Sequence, residues 1–232
     1  MHEMTEKHFN WRAFDAYLFD IDGTLLNSRD AVHYFAFQRA VRSVYGCEPR
    51  LEGVQVQGST DVRIMRDMTR LAGISEDEFR AKLPQAIAEI CANVERNQHD
   101  LKPELCPSIL DLLEQFHSAG RLLGVTSGNL EPIGWAKLRA AGVRHYFQFG
   151  SFSDRNETRE EIFRWGAKKV REILGPAARL CFVGDTPADV LAAKAVGEPI
   201  MAVATGVFSV DELTEHGPEM CLSCLDALES RP

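Results

Sequence analysis

Short apolar runs alternate with amphipathic stretches along most of the chain. Residues 13–20 (AFDAYLFD) are apolar and aromatic-rich, which predicts a buried strand. The runs at 121–126 (RLLGVT), 146–150, 179–183 (RLCFV) and 199–203 (PIMAV) predict four more. Helical stripes separate them. Ile109, Leu112, Leu113 and Phe116 recur at i, i+3, i+4 and i+7, and Gly120 stops that helix. Another helix spans 132–141, up to Gly142. Thr158 and Glu161 form a capping box that opens a helix to Leu174, with Phe163, Ala167, Val170 and Leu174 on its apolar face. Pro187 suits the first turn of a helix through Val196, stopped by Gly197. Strands alternating with helices predict an α/β fold: a three-layer, Rossmann-like parallel sheet.

One connection is too long for that scheme. The strand at 13–20 and the next one are separated by roughly 100 residues, where a crossover helix needs about a dozen or more. The intervening pattern is helical. Residues 31–45 are amphipathic and stopped by Gly46. Ile64, Met65, Met68 and Leu71 stripe a helix over 61–72. Ser75 and Glu78 open a third, with a kink expected at Pro84 and continuation toward Asn97. This predicts an all-α domain over 28–104, inserted into a core made of 1–27 and 105–232. Its hinges fall near 27–30 and 101–107. It would overhang the carboxyl end of the first strand, where open α/β sheets bind ligands.

Composition narrows the function classes. The 232 residues carry a net charge of −8, so a basic nucleic-acid footprint is absent. No apolar run approaches the roughly 20 residues of a membrane span, and the N-terminus has no secretory h-region. Six cysteines without a signal peptide predict reduced thiols in a cytoplasm. Cys221 and Cys224 have ligand-like spacing but lack a second pair, so a short strand running into the last helix is the expectation there. An anionic substrate would need local positive charge from a metal or a few placed cations.

Three turns at predicted strand ends carry the chemistry. Asp20-Ile-Asp22-Gly23-Thr24 follows the first strand. Side chains at i and i+2 of extended chain share a face, so the two carboxylates can converge on the ligand side. Gly184-Asp185-Thr186-Pro187-Ala188-Asp189 follows another strand. Asp185 would stand beside Asp20 if those strands neighbour. Asp189 is also suited to cap the helix behind Thr186. In Thr126-Ser127-Gly128-Asn129, a hydroxyl and backbone amides before a helix can cradle an anion.

DIDGT, a helical insert, VTSGN, VGDTPAD and IMAVATGVFS, in that order, resemble the haloacid dehalogenase-like hydrolase superfamily over nearly the whole chain. The likeness is to its phosphatases with a helical cap inserted after strand 1, phosphoglycolate phosphatases among them. The resemblance implies Asp20 as the nucleophile that forms an aspartyl-phosphate and Asp22 as general acid/base. It also implies a Mg²⁺ site drawn from Asp20, Asp22, Asp185 and Asp189. Phosphate would be held by Gly23, Thr24, Thr126, Ser127 and Gly128. The superfamily's usual lysine, often in K-P-x-P before a helix, is missing. Arg155, in SFSDRNE, is the expected substitute, against the bland alternative of a solvated loop arginine. Lys168 and Lys169 are expected to be solvated.

The function that follows is Mg²⁺-dependent hydrolysis of a small phosphomonoester metabolite by a cytoplasmic monomer or homodimer, with no nucleic-acid or membrane partner. A phosphomutase of the β-phosphoglucomutase kind uses the same aspartate pair and is the alternative, as is a non-catalytic binding protein on this fold. Dehalogenase and phosphonatase activities are disfavoured because neither needs the acid Asp22 supplies. In the insert, Gln57-Gly58-Ser59-Thr60-Asp61 precedes a helix. Thr60 and Asp61 are expected either to contact substrate or simply to cap that helix.

Overall fold

The computed structural model describes residues 9–28 and 30–228. Residues 1–8, Arg29 in the predicted first hinge, and residues 229–232 lie outside the described residues.

The strands are β1 (Ala16–Phe19), β2 (Leu26–Ser28), β3 (Pro103–Leu105), β4 (Leu122–Thr126), β5 (Phe149–Ser151), β6 (Leu180–Gly184), β7 (Ile200–Val203) and β8 (Met220–Leu222). The α-helices are α1 (Val32–Ala40), α2 (Asp61–Leu71), α3 (Glu76–Arg96), α4 (Ile109–Ser118), α5 (Glu131–Ala140), α6 (Arg159–Leu174), α7 (Pro187–Val196) and α8 (Val210–Thr214). Six strands form one sheet in the order β5-β4-β1-β6-β7-β8. Every pairing in it is parallel.

Strand periodicity builds the layers. Tyr17, Phe19, Leu123, Val125, Cys181 and Val183 join α4 and Leu138 of α5 in one apolar core. Their chain neighbours Ala16, Leu18, Leu122, Leu180 and Phe182 join α6 and α7 in the other. The strands are therefore buried on both sides, as parallel sheets require. Cys221 sits in β8 and all six cysteines are free.

The insert folds as the helical pattern predicts. The α1 helix continues as a π-helical turn over Val41–Tyr45 and ends at Gly46. The α3 helix runs 21 residues through Pro84 without a break. Residues of α1, α2 and α3 share one apolar core, which also takes in Leu130, Ile133 and Ala136 at the start of α5. At its base, β2 and β3 pair antiparallel, a two-stranded stalk that the apolar pattern does not reveal.

Candidate active site

The sheet order puts β1 between β4 and β6, with Phe19 level with both Val125 and Val183. The three chemistry-bearing turns therefore leave adjacent strands at the same end. Asp20 is buried there. A cavity of about 480 Å³ separates this floor from the insert. Asp20, Asp22, Ser127, Gly128, Asn129, Lys137 and Arg159 border it from below.

Two clusters organise the floor. In the first, Arg159 donates through Nη1 and Nη2 to the two oxygens of Asp20, both at 3.1 Å. Its Nη2 also lies 3.0 Å from Asp189 Oδ1. Burial works against this guanidinium's charge, but Asp189 and Asp20 outweigh that and raise its pKa further. Oxygens of Asp20, Asp185 and Asp189 lie within 4.8 Å of one another. Burial, then Asp20 and Asp189, push the Asp185 carboxyl up to about 8. Burial pushes Asp189 up to about 6, against the pull of Arg159. Three hard carboxylate oxygens under this mutual repulsion suit a divalent cation. Asp185 is packed in place: a Cβ on Gly23, where φ is +88°, would meet its Oδ2 at 2.1 Å.

In the second cluster, Lys137 Nζ donates to both Asp22 oxygens at 2.8 and 2.7 Å. Asn129 Nδ2 donates to Asp22 Oδ2 at 2.7 Å, and Lys137 ties back to Asn129 Oδ1 at 2.9 Å. Burial would raise the Asp22 carboxyl, but Lys137 and Asn129 hold it below its ordinary value. The Asp22 side chain thus turns away from the other three aspartates. Of the four aspartates expected to draw a metal, Asp20, Asp185 and Asp189 group together, and the Asp22 carboxylate lies outside that group.

Arg155 requires a larger correction. Its side chain is 70% exposed and pairs with Glu131 at 3.2 Å, whereas Arg159 is 10% exposed. The loop carrying Arg155 faces outward, and the first residue of α6 reaches Asp20 instead. The capping box at Thr158 and Glu161 was the available signal, because it fixes where the helix N-terminus begins. Lys137 had a weaker signal, a lone lysine in an otherwise apolar stretch of α5. Lys168 and Lys169 sit beside Glu172 on the solvated face of α6.

Several expected phosphate contacts lie behind the lining. Thr24 Oγ1 donates to Asp185 Oδ1 at 2.9 Å, so it positions that carboxylate. Gly23 packs on the same side chain. The Thr126 hydroxyl is buried without a partner, at the strand end level with Asp20. Ser127 accepts from Asn129 Nδ2 at 2.8 Å. Asp189 caps α7 as expected, Oδ2 accepting from the backbone and hydroxyl of Thr186, while Oδ1 faces Arg159.

The loop before α2 is a junction between insert and core. Thr60 caps α2 by accepting from Arg63 N and donates to the Glu157 carbonyl at 2.8 Å. Asp61 N donates to Gly128 O at 2.7 Å, and Asp61 Oδ2 accepts from Leu130 N at 2.8 Å. A Cβ on Gly128 would meet Ser59 O at 2.5 Å, so only glycine lets the two loops touch. Thr60 does not border the cavity; Asp61 does.

A sequence model described as haloacid dehalogenase-like hydrolase matches residues 14–197. The chain belongs to that family. It is a phosphatase-type enzyme within it. The phosphoglycolate phosphatase of Synechococcus elongatus is 30% identical over 89% of this chain and 92% of its own length. That of Mesorhizobium japonicum is also 30% identical, but the match spans only about half of each chain, 53%. The fold matches CbbY of Rhodobacter sphaeroides in complex with xylulose-1,5-bisphosphate. The TM-score is 0.67 at 19% identity, over 91% of this chain and 94% of that one. A hydrolase of Pseudomonas syringae matches with a TM-score of 0.66 at 18% identity, over 94% and 98%.

Proposed function

We propose that the chain is a magnesium-dependent phosphatase that hydrolyses a small phosphomonoester through a phosphorylated Asp20. The observation that carries this is the pairing of roles on one floor. Asp20 is held by a bidentate arginine beside two further carboxylates, while Asp22 is held separately by Lys137 and Asn129.

Asp20 attacks phosphorus and the P–O bond to the alcohol breaks. Asp22 gives its proton to the departing oxygen. Asp22 then takes a proton from water, which attacks the acyl phosphate and frees Asp20 and inorganic phosphate. At rest Asp22 is ionised, ready for the second step. The charge of an incoming phosphate raises its proton affinity for the first. Arg159 offsets negative charge on the transferring group and fixes the attacking oxygen. Asp20, Asp185 and Asp189 would hold Mg²⁺, which supplies positive charge to the phosphoryl oxygens. We assign the buried, unpartnered Thr126 hydroxyl, at the strand end beside Asp20, to an oxygen of the phosphoryl group once it is on Asp20. Residues 28–104 act as the cap that roofs the cavity. Six free cysteines accord with a reducing cytoplasm.

The test is phosphate release from an aryl phosphate with Mg²⁺. The wild type turns over, Asp20→Asn does not, and chelation abolishes the activity. Turnover by Asp20→Asn close to the wild-type rate would refute the assignment.

A further inference from the structure

The cavity's two walls differ in chemistry. The floor is polar and holds the cations. The far wall, supplied by the insert, brings the cavity's apolar side chains Phe37, Leu51, Val56, Ile64 and Met68. Its uncharged polar groups are Ser28, Tyr34, Gln38, Gln57 and Ser59. The carboxylates it adds are Asp30 and Asp61.

The arginine and the lysine that line the cavity among the described residues already have carboxylates. Arg159 is bound to Asp20 and Asp189, and Lys137 to Asp22. His33 Nε2 lies 3.1 Å from Asp61. Three of the insert's described arginines point to other partners: Arg66 and Arg80 hold Glu157, and Arg39 reaches Asn93.

On the phosphatase reading above, we infer that the substrate's alcohol half is uncharged and largely apolar. A second anion against the far wall would be desolvated without a counter-charge and would face Asp30 and Asp61. An apolar group there gains by leaving water, and Gln38 and Gln57 can serve a hydroxyl or carbonyl on it. The cavity has the volume of a site for a ligand well above a two-carbon acid in size. The selectivity therefore departs from phosphoglycolate, whose far end is a carboxylate, and from sugar bisphosphates.

The experiment compares kcat/KM for 3-phenylpropyl phosphate, phosphoglycolate and fructose 1,6-bisphosphate, with Mg²⁺ and the full chain. The phenylpropyl ester is expected to exceed both others by about tenfold or more, although glycolate is the better leaving group. Gln38→Arg, which puts a cation on the far wall, should move the ratio of phosphoglycolate to phenylpropyl phosphate up by about tenfold. Equal or better turnover of phosphoglycolate or the bisphosphate by the wild type overturns the inference and leaves the phosphatase reading intact. A ratio unmoved by Gln38→Arg overturns the placement of the alcohol half on this wall. No phosphate release from any ester by a folded protein refutes the phosphatase reading, and this inference with it.

Discussion

Glu157 and Arg159 are two residues apart, and each sits in an arginine–carboxylate cluster of a different kind. Arg159 is buried between Asp20 and Asp189 on the cavity floor. Glu157 is 31% exposed at the junction of insert and core, where it accepts from Arg66 and from Arg80 at 2.5 Å. The first cluster keeps charges out of water, where each is costly unless fully paired. The second lies where solvent screens it, so it holds two parts together without a large energetic stake. One short segment thus joins the catalytic floor to the roof. The Thr60 hydroxyl bond to the Glu157 carbonyl ties the same segment to α2.

The largest effect should come from breaking the buried cluster. Arg159→Ala should lower kcat/KM by about 10³, the scale of losing a charge-stabilising donor. It should also cost about 3 kcal/mol of stability, because Asp189 keeps no cation. Arg159→Lys should restore part of the activity, since an ammonium replaces the charge but not the bidentate fork. Steady-state kinetics and thermal melts on the three proteins check this. Full activity in the alanine variant would remove Arg159 from the site.

These charges were unequally legible in the sequence. Asp20 and Asp185 each follow a predicted strand directly and Asp22 lies two residues past Asp20, so they could meet if those strands neighboured, which the β1–β6 pairing then supplies. The helical insert showed itself as a connection too long for one crossover. The arginine did not follow from such a rule. Arg155 and Arg159 are both polar residues in one loop-to-helix passage, and only the direction of the α6 N-terminus separates them. Lys137 was harder still. It lies in a helix whose apolar neighbours already explain its register, and its partner is 115 residues away in sequence. Long-range polar pairing leaves no periodic trace. The β2–β3 stalk was missed for a related reason: three-residue strands are too short to show alternation.

The Lys137–Asp22–Asn129 group falls next. Lys137→Met keeps much of the side-chain volume but leaves Asp22 with Asn129 alone. A fall in kcat of roughly 10- to 100-fold is expected, with a smaller change in KM, because the proposed mechanism uses Asp22 in both chemical steps. Without the ammonium the Asp22 carboxyl should titrate higher, so the acidic limb of the kcat profile should move to higher pH. Lys137→Arg should recover part of both. An unaltered pH profile with only a lower melting temperature would make Lys137 a packing residue.

The junction cluster should matter less. Glu157→Gln removes the charge facing Arg66 and Arg80 and should cost about 1 kcal/mol, or roughly 2–4 °C in melting temperature. Burial raises the Glu157 carboxyl, but the two arginines together hold it below the ordinary glutamate value. A depressed folded-state pKa gives stability that is present above the unfolded value of about 4.3 and lost as pH falls through the folded one. The gap between wild type and Glu157→Gln should therefore be full at neutral pH and close in acid. A gap that stays constant from pH 7 to pH 3 would remove the ion pairs as its cause.

Arg155→Ala should have the smallest effect, and it sharpens the comparison most cheaply. Arg155 and Arg159 have the same chemistry and lie one helical turn apart in sequence, so only their surroundings can separate their effects. Among the described residues Arg155 has a single carboxylate partner, Glu131, itself about one-third exposed. Such pairs contribute about 0–1 kcal/mol. Its removal leaves no buried charge and touches nothing that borders the cavity. The expected change in kcat/KM is below about twofold, and the melting temperature should move by no more than about 2 °C. Side-by-side assays of the two alanine variants then read out the position of the functional cation directly. A loss at Arg155 comparable to that at Arg159 would mean that the loop turns inward during turnover and that both guanidiniums reach the phosphate.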